Sequence, residues 1–402
     1  MITDPALEAR RLFDIGVAAA DPYAATQIAL NRITLDDPLI LAIGKAATRM
    51  AEAAMAHYAQ PRAIIVTNPE NARDVPNAQV FAASHPVPDG VGLQASAAIL
   101  KALAVNTRPV LALISGGGSA LLPAPVGGIP LADKARVNEL LLASGADIVQ
   151  TNLVRQHLSR LKGGGLNRHA APQPVTALIL SDVIGGDLRA IASGPTVSPI
   201  GTAADARAAL QALNIWDACP ATVQRHLLAD PPTPETPSAH NILIGSNTKS
   251  LHAMRAAAPS AKIGNAHLVG DVAEAAKIVA QHYHDGPGTT LFGGETTVQI
   301  KGTGAGGRNQ ELALRVAKIA AAEGWENWTY LQGGTDGRDG PTDAAGGVVN
   351  ETTLTKIRAA GHDPDALLAN NDSYAALKAG ESLLMTGGTG TNVADLGILI
   401  RT

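Results

Sequence analysis

Short apolar runs alternate with helical patterns along this chain, and no other feature restricts the possible folds as strongly. Residues 39–43, 109–114 and 175–180 are runs of almost wholly apolar residues, and residues 46–58 and 92–105 have the pattern of helices. Strands that are apolar on both faces are typical of a parallel sheet that helices cover on each side. The alternation therefore predicts an α/β fold.

Two domains are expected from the length and from one proline-rich segment. The chain has 402 residues, about two to three times the length of a typical single domain. Residues 230–237 (DPPTPETP) include four prolines, which neither a helix interior nor a central strand accommodates. We predict an N-terminal Rossmann-like α/β domain at residues 1–236 and a C-terminal α/β domain at residues 237–402. Both sheets are expected to be largely parallel and covered by helices.

The composition excludes several classes of protein. The chain has 31 basic and 35 acidic residues, so it lacks the basic excess that is usual in nucleic-acid-binding proteins. Its most apolar runs are five residues long, whereas a membrane helix needs about 20 apolar residues. The single cysteine, Cys219, cannot form an intramolecular disulfide and fits a reducing cytoplasm. We therefore expect a cytoplasmic protein with neither a nucleic-acid nor a membrane partner.

Glycine-rich turns follow several of the predicted strands. They lie at residues 44–45, 115–119, 181–187, 302–309 and 333–343. Ligands of open parallel sheets bind beyond the carboxyl ends of the strands, and glycine lets backbone N–H groups converge on an anion. Several such turns in one chain favour a phosphate-rich ligand. Each turn taken alone is also compatible with plain turn chemistry, since Gly and Asp are common in all turns.

Common enzyme signatures are absent from the sequence. Gly44 and Lys45 are followed by Ala46, and position 39 is Leu, so the Walker pattern of ordinary P-loop enzymes is missing. The turn at residues 117–121 lacks the second glycine of the hydrolase motif G-x-S-x-G. The sequence has no H-E-x-x-H pattern and no cysteine cluster, so it gives no indication of a zinc site.

One glycine pattern matches the dinucleotide-binding fingerprint in part. Gly302, Gly304 and Gly307 satisfy G-x-G-x-x-G between a predicted strand and a predicted helix. A dinucleotide site also needs an acidic residue about 20 positions further on. Position 327 is Asn, and Asp336 lies 29 positions after Gly307. A nicotinamide-dependent enzyme therefore stays an alternative with a partial fit.

Nine short motifs occur in order along the chain, at residues 43–47 (IGKAA), 84–89 (SHPVPD), 115–120 (SGGGSA), 161–165 (LKGGG), 181–187 (SDVIGGD), 192–196 (ASGPT), 293–297 (GGETT), 306–311 (GGRNQE) and 335–340 (TDGRDG). Together they resemble the glycerate 2-kinase family, whose C-terminal part is known by the MOFRL motif. The resemblance extends over nearly the whole chain.

The resemblance implies an ATP-dependent kinase that phosphorylates D-glycerate at its 2-hydroxyl and releases 2-phosphoglycerate and ADP. It also implies a MOFRL-type C-terminal domain, an active site in the cleft between the two domains, and Mg²⁺ as the metal. Some relatives are named hydroxypyruvate reductase, so an NAD(P)H-dependent reductase is the alternative. A non-catalytic sensor of a sugar acid or nucleotide is a third hypothesis. The oligomeric state stays open, with a homodimer as one alternative.

The kinase hypothesis gives roles to the charged residues of the turns, because phosphoryl transfer depends on positioning and charge neutralisation. Lys45 is expected to place its charge on the transferring phosphoryl group. Asp187 is expected to orient or deprotonate the attacking hydroxyl. Arg308 is expected to hold a carboxylate or phosphate in its planar fork. These three are the predicted catalytic residues. The substrate is expected to contact Lys45, Arg308 and Asn309, and the nucleotide is expected at the turn of Ser115, Gly116, Gly117, Gly118 and Ser119. The candidate metal ligands are Asp182, Asp336 and Asp343.

Some of these assignments have alternatives. The sequence does not decide which carboxylate acts as base and which binds the metal. Lys45 and Arg308 are also compatible with solvated surface positions. Lys162, which precedes three glycines, is either a solvated helix end or a further substrate contact.

Overall fold

Two six-stranded sheets with surrounding helices make up the computed structural model, which describes residues 4–232 and 235–402. Thr233 and Pro234, within the predicted linker, lie outside the described residues. The strands are β1 (Leu39–Ile43), β2 (Arg62–Thr67), β3 (Ala78–Ala82), β4 (Val110–Ser115), β5 (Val175–Leu180), β6 (His240–Gly245), β7 (Lys262–Asp271), β8 (Gly288–Thr297), β9 (Trp328–Gly334), β10 (Gly346–Asn350), β11 (Leu383–Leu384) and β12 (Asp395–Arg401).

The α-helices alternate with these strands along most of the chain. They are α1 (Pro5–Ala18), α2 (Pro22–Leu30), α3 (Ala47–His57), α4 (Gly90–Val105), α5 (Gly118–Leu121), α6 (Leu131–Ala143), α7 (Ile148–His157), α8 (Gly165–Ala170), α9 (Ala203–Ala212), α10 (Ala221–Leu228), α11 (Asn247–Ala257), α12 (Val272–Gln281), α13 (Arg308–Glu323), α14 (Thr353–Ala359), α15 (Pro364–Ala369) and α16 (Ser373–Ala379). The predicted α/β fold is confirmed.

The described residues form two compact units that alternate along the chain. The first unit contains residues 22–181 and 186–244. The second unit contains the residues up to Asp21, residues 182–185 and residues 245–402, and therefore includes α1. The boundary predicted between residues 236 and 237, and the cleft predicted between the two domains, stay predictions.

The sheet of the first unit has the strand order β3-β2-β1-β4-β5-β6. β1 pairs in parallel with β2 and β4, and β5 pairs in parallel with β4. In this register Ile43, the last residue of β1, lies opposite Ile114 of β4. The carboxyl ends of β1 and β4 therefore lie at the same edge of the sheet. This confirms the predicted parallel sheet and makes the turns after the two strands neighbours.

The sheet of the second unit, with the order β11-β10-β9-β12-β8-β7, differs from the prediction of a largely parallel sheet. β12 is antiparallel to β8 and β9, β10 is antiparallel to β9 and β11, and β7 is parallel to β8. The prediction was wrong here because β12 is buried on both faces. Ile398 and Ile400 pack in one core cluster and Leu399 packs in another. Such burial gives an antiparallel strand the continuous apolar run that is typical of parallel strands.

Helices cover both faces of this second sheet. α1 and α11 lie against one face, where Phe13 and Met254 share a core cluster with Leu396. α12 and α13 contribute to the cluster on the other face. Gly16 allows the close approach of α1, because a Cβ there would lie 2.6 Å from a Leu396 methyl and 2.8 Å from the Met254 sulfur.

Candidate active site

Lys45 lies directly after β1, beside the glycine turn that follows β4. Its backbone N–H donates a hydrogen bond of 2.9 Å to the carbonyl of Gly116. Gly44 has a φ of +123°, and a Cβ there would collide with the hydroxyl of Ser115. The structure thus brings together Lys45 and the predicted nucleotide turn. We call Lys45 with residues 115–119 the lysine turn.

The two serines of the lysine turn use their hydroxyls inside the protein. The Ser115 Oγ is buried and accepts a hydrogen bond of 3.0 Å from the N–H of Ala46, just before α3 begins. The Ser119 Oγ lies 2.8 Å from the Ser193 Oγ, which donates to Asn152. The hydroxyls therefore fix the shape of the turn. A ligand at this turn would rely on backbone N–H groups and on the Lys45 ammonium.

His85 is a neighbour of the lysine turn. A Cβ on Gly117 would lie 3.0 Å from Cγ of Lys45 and 3.4 Å from the His85 ring. Gly117 has a φ of +82°, so neither its conformation nor the available space suits a side chain. Partial burial and the charge of Lys45 lower the pKa of His85. The imidazole is therefore neutral at about pH 7, given its ordinary pKa of about 6.5.

Asp187, in the loop after β5, pairs with Arg189. The Arg189 Nε and Nη2 atoms donate to the Asp187 carboxylate at 3.0 and 2.9 Å, and the Arg189 N–H donates at 2.9 Å. The hydrogen bond from the Arg189 side chain lowers the pKa of Asp187. A carboxylate of lowered basicity suits the orientation of a hydroxyl better than its deprotonation.

Arg308 is the first residue of α13, and acids of two strands hold its side chain. Its Nε donates to Oδ2 of Asp395 at 2.6 Å and its Nη2 donates to Oδ1 at 3.1 Å. The Nη2 also lies 3.2 Å from Oε1 of Glu295. Burial is the largest single effect and opposes the charge, but Asp395, Glu295 and Asp339 together raise the pKa of Arg308. The side chain of Asp395 is 2% exposed and that of Arg308 is 34% exposed, so the guanidinium is anchored on its buried side and still reachable from solvent.

A second buried acid, Asp339, caps α13 from outside the helix. Its Oδ1 accepts from the N–H of Asn309 at 3.1 Å, and its Oδ2 accepts from the N–H of Gln310 at 2.8 Å. Gly307 is required here, because a Cβ would collide with the Asp339 carboxylate. The buried Asn309 amide donates to Asp395 at 3.0 Å, so its predicted contact with substrate stays a prediction. We call the set of Glu295, Arg308, Asn309, Asp339 and Asp395 the arginine cluster.

Side chains of the protein accept hydrogen bonds from the glycine turn that resembles a dinucleotide fingerprint. Three of its backbone N–H groups, and that of the preceding Lys301, donate to side chains between α15 and α16: Lys301 (2.6 Å) and Gly302 (3.0 Å) to Asn371, Thr303 (3.0 Å) to Asn370, and Ala305 (3.2 Å) to Asp372. Asp339 takes two more N–H groups at the start of α13. Most of the N–H donors that could hold a pyrophosphate at this turn therefore already have partners within the protein. This turn positions Arg308 instead.

The three predicted metal ligands have different surroundings. Burial and the charges of Asp395, Asp182 and Asp336 raise the pKa of Glu295, although Arg308 opposes this effect. Asp182 and Asp336 therefore lie close enough to act on the arginine cluster. The third candidate, Asp343, is exposed and accepts a hydrogen bond of 2.7 Å from the hydroxyl of Tyr374.

A divalent ion would need ligands from outside the protein at this site. Within residues 4–232 and 235–402, no three His, Cys, Asp or Glu side chains are grouped so that they could hold a metal ion. Mg²⁺ is commonly bound by one or two carboxylates, with phosphate oxygens and water completing its shell. Asp182 and Asp336 fit such an ion as hard oxygen donors.

Asp395, Asp339 and Glu295 have functional positions that the sequence patterns did not predict. Asp339 and Glu295 occur inside motifs of the resemblance, and their motif positions were the available signal. Asp395 lies 87 residues from Arg308 and belongs to no such motif. The contact follows from the antiparallel placement of β12 between β8 and β9.

The fold is that of an α/β protein with two charged sites, and comparison with known proteins identifies the family. Residues 8–228 match DUF4147, a domain of unknown function, and residues 288–395 match the MOFRL family. The chain is 39% identical to the D-glycerate 2-kinase of Thermotoga maritima, over 94% of each chain. The crystal structure of glycerate kinase from the same organism has a TM-score of 0.92 and 37% identity, over 99% of each chain. The chain belongs to the glycerate 2-kinase family.

Two further findings bear on the alternatives. A protein of Agrobacterium vitis with the provisional name hydroxypyruvate reductase is 39% identical, over 96% of this chain and 92% of that one. In the part of the chain that the structure describes, no helix combines the length and apolar character that a membrane crossing requires.

Proposed function

We propose that this protein is a D-glycerate 2-kinase, which transfers the γ-phosphoryl group of ATP to the 2-hydroxyl of D-glycerate. The observation that carries the proposal is the similarity to the D-glycerate 2-kinase of Thermotoga maritima over 94% of both chains. Two structural features agree with it. The lysine turn provides a cation beside a glycine-rich backbone, and the arginine cluster provides a fixed guanidinium fork.

The lysine turn is our candidate for the phosphate side of the reaction. Lys45 follows a buried strand, so its backbone is fixed while its side chain is half-buried. A fixed ammonium stabilises the negative charge that the transferring phosphoryl group spreads over its oxygens. His85 is neutral there, so it adds no further charge and is suited to a hydrogen bond.

The arginine cluster is our candidate for the carboxylate of glycerate. Asp395 accepts hydrogen bonds from Nε and Nη2 of Arg308, and within the described residues Nη1 of Arg308 has no hydrogen-bond partner. A planar guanidinium with free donors on a buried anchor suits a carboxylate in a defined orientation. Asp187 would orient the attacking hydroxyl through its acceptor oxygens, since its lowered pKa makes it a weak base.

Asp182 and Asp336 are the residues that we propose to hold Mg²⁺ together with phosphate oxygens of the nucleotide. When bound, the ion would neutralise charge on those oxygens. Asp343 is a weaker candidate, because its described partner is the Tyr374 hydroxyl. We also infer a cytoplasmic location, since the buried Cys219 is a free thiol.

The proposal is tested with purified protein, ATP, Mg²⁺ and D-glycerate. We expect ADP formation that depends on D-glycerate, and a product that enolase converts without a mutase, because 2-phosphoglycerate is the substrate of enolase. A product that requires the mutase would contradict transfer to the 2-hydroxyl. Omission of Mg²⁺ tests the metal separately.

An NAD(P)H-dependent hydroxypyruvate reductase is the second candidate, and the name of the Agrobacterium vitis relative favours it. The structure offers this candidate little support, because three N–H groups of the G-x-G-x-x-G turn already donate to Asn370, Asn371 and Asp372. Incubation with hydroxypyruvate and NADH, and separately NADPH, decides the question. Rapid cofactor oxidation without any ATP turnover would reverse the assignment.

A further inference from the structure

Three cations lie in one region of the first unit, and none of them forms an ion pair within the described residues. Lys134 and Lys162 are buried, with 7% and 2% exposure. Their charges, and that of the half-buried Arg155, act on one another. The partners of all three are neutral: carbonyl oxygens for the lysines, and the amide oxygen of Asn138, 2.8 Å from Nε, for Arg155. Buried cations are normally paired with acids, so this region lacks a counter-charge.

Lys162 is the member of this group that contacts the lysine turn. Its Nζ donates to the carbonyls of Ser119 and Leu122, each at 2.8 Å. Ser119 belongs to the lysine turn, and both carbonyls lie at the last turn of α5, whose oxygens have no partner within the helix. Lys162 therefore fixes the short helix that continues the lysine turn. Lys134 donates instead to Pro123 and Leu158, outside that turn.

Lys162 makes hydrogen bonds that its neutral amine form can satisfy completely. A neutral amine has two N–H donors, and the two carbonyls use both. Burial and the charge of Arg155 lower the pKa of Lys162 to about 7. The neutral and charged forms are thus close in free energy, and a nearby anion would favour the charged form.

We propose that Lys162 is a positioning residue of the nucleotide site, which holds the lysine turn through α5 and takes up a proton when an anionic nucleotide binds there. The inference rests on the proposed function, because it places the nucleotide phosphates at the lysine turn. The proton comes from solvent and converts the Nζ amine to an ammonium ion, while the bonds of the nucleotide stay unchanged. The other basic groups at this site are Lys45, within the lysine turn itself, and Lys134 and Arg155, whose charges act with that of Lys162. Burial lowers the pKa of Lys134 as well, and a bound phosphate would compensate the charge of each of these groups.

The test is titration calorimetry of ADP with Mg²⁺ in buffers of different ionisation enthalpy. At about pH 8 a group with a pKa of about 7 is roughly nine-tenths deprotonated, so we expect uptake approaching 0.9 proton per ADP, counted relative to Lys162→Arg. At about pH 6 the difference should almost vanish. Lys162→Arg keeps a permanent cation and should bind ADP without this uptake.

Lys134→Met is the matched control, since it removes a buried lysine that bonds two carbonyls outside the turn. It should lower stability and retain most of the proton uptake. Equal proton counts in the wild type and in Lys162→Arg would overturn the inference while leaving the kinase proposal intact. If Lys162→Arg does not fold, a wild-type proton count that is unchanged between about pH 6 and pH 8 overturns it equally. Failure of the wild type to bind ADP would overturn the kinase proposal and this inference together.

Discussion

Asp395 holds the guanidinium of Arg308 through two hydrogen bonds, of 2.6 and 3.1 Å, across 87 positions of the chain. Asp395→Asn retains one acceptor oxygen and removes the charge that compensates the guanidinium. We expect kcat/KM for D-glycerate to fall by about tenfold to a hundredfold, mainly through KM, because the fork loses its fixed orientation. Glu295→Gln is the control, because Glu295 makes a single contact of 3.2 Å with Arg308 and its own side chain is 47% exposed. Steady-state kinetics should show a clearly smaller loss for the control, and equal losses would show that the fork geometry is unimportant.

Truncation of Lys45 and truncation of Arg308 are expected to change different kinetic constants. Each alanine variant should lower kcat/KM by about two decades or more, roughly 2.7 kcal/mol of transition-state stabilisation. The loss for Lys45→Ala should fall on kcat, whereas Arg308→Ala should also raise KM for glycerate. Arg308→Lys should rescue little, because an ammonium cannot reproduce the bidentate contact with Asp395. Circular dichroism controls for folding, and near-wild-type activity of folded Lys45→Ala would remove Lys45 from the mechanism.

The partner Arg189 offers a test of whether Asp187 acts in its ionised form. Arg189→Met removes the side-chain hydrogen bonds and the charge that lower the pKa of Asp187 and leaves the backbone N–H bond in place, so this pKa should rise towards its ordinary range. If Asp187 must be ionised for activity, the acidic limb of the kcat/KM profile should move to higher pH in the variant. An unchanged acidic limb, together with an active Asp187→Asn variant, would exclude Asp187 from the reaction.

Sequence patterns predicted the first unit better than the second. The strands β1, β4 and β5 are parallel, and the rule that ligands lie at strand ends placed Lys45 beside the turn after β4. The same reasoning could not find Asp395, because its contact with Arg308 depends on which strand β12 joins. The same reasoning also could not show that Asn371 accepts hydrogen bonds at the G-x-G-x-x-G turn, since a motif does not reveal which side chains bind its backbone N–H groups.

Asn371 is predicted to support the arginine cluster through the glycine turn. It has a φ of +53°, its Oδ1 accepts from Lys301 and Gly302, and its amide donates to Gln299 at 3.1 Å. Asn371→Gly removes these hydrogen bonds but tolerates the left-handed backbone, so we expect a loss of about 1–2 kcal/mol in the free energy of unfolding. Asn371→Ala should cost about 1 kcal/mol more because of its Cβ. Urea unfolding of both variants measures the difference, and equal losses would contradict the backbone argument.

Asp339 should make stability depend on pH in an unusual direction. Burial raises its pKa from 3.8 to about 6, so between these values the folded protein holds a proton that the unfolded chain releases. The free energy of unfolding therefore decreases as pH rises through this window and is constant above it. Asp339→Asn removes this contribution, so the stability lost in the variant should be larger at about pH 4.5 than at about pH 7.5, by about 2 kcal/mol. Urea unfolding at both pH values measures this difference, and the opposite trend would show that the N–H groups of Asn309 and Gln310 dominate the pKa.

The place of α1 in the second unit has a consequence for how the protein can be made. Phe13 packs with Met254 and Leu396, so α1 meets these partners only after more than 200 further residues have been synthesised. Until then its apolar face is without its native partners and available to chaperones or to other nascent chains. Expression of residues 245–402 alone would retain α11 on that face of the sheet but leave the part that α1 covers exposed. Co-expression with a separate peptide of residues 1–21 should restore its solubility.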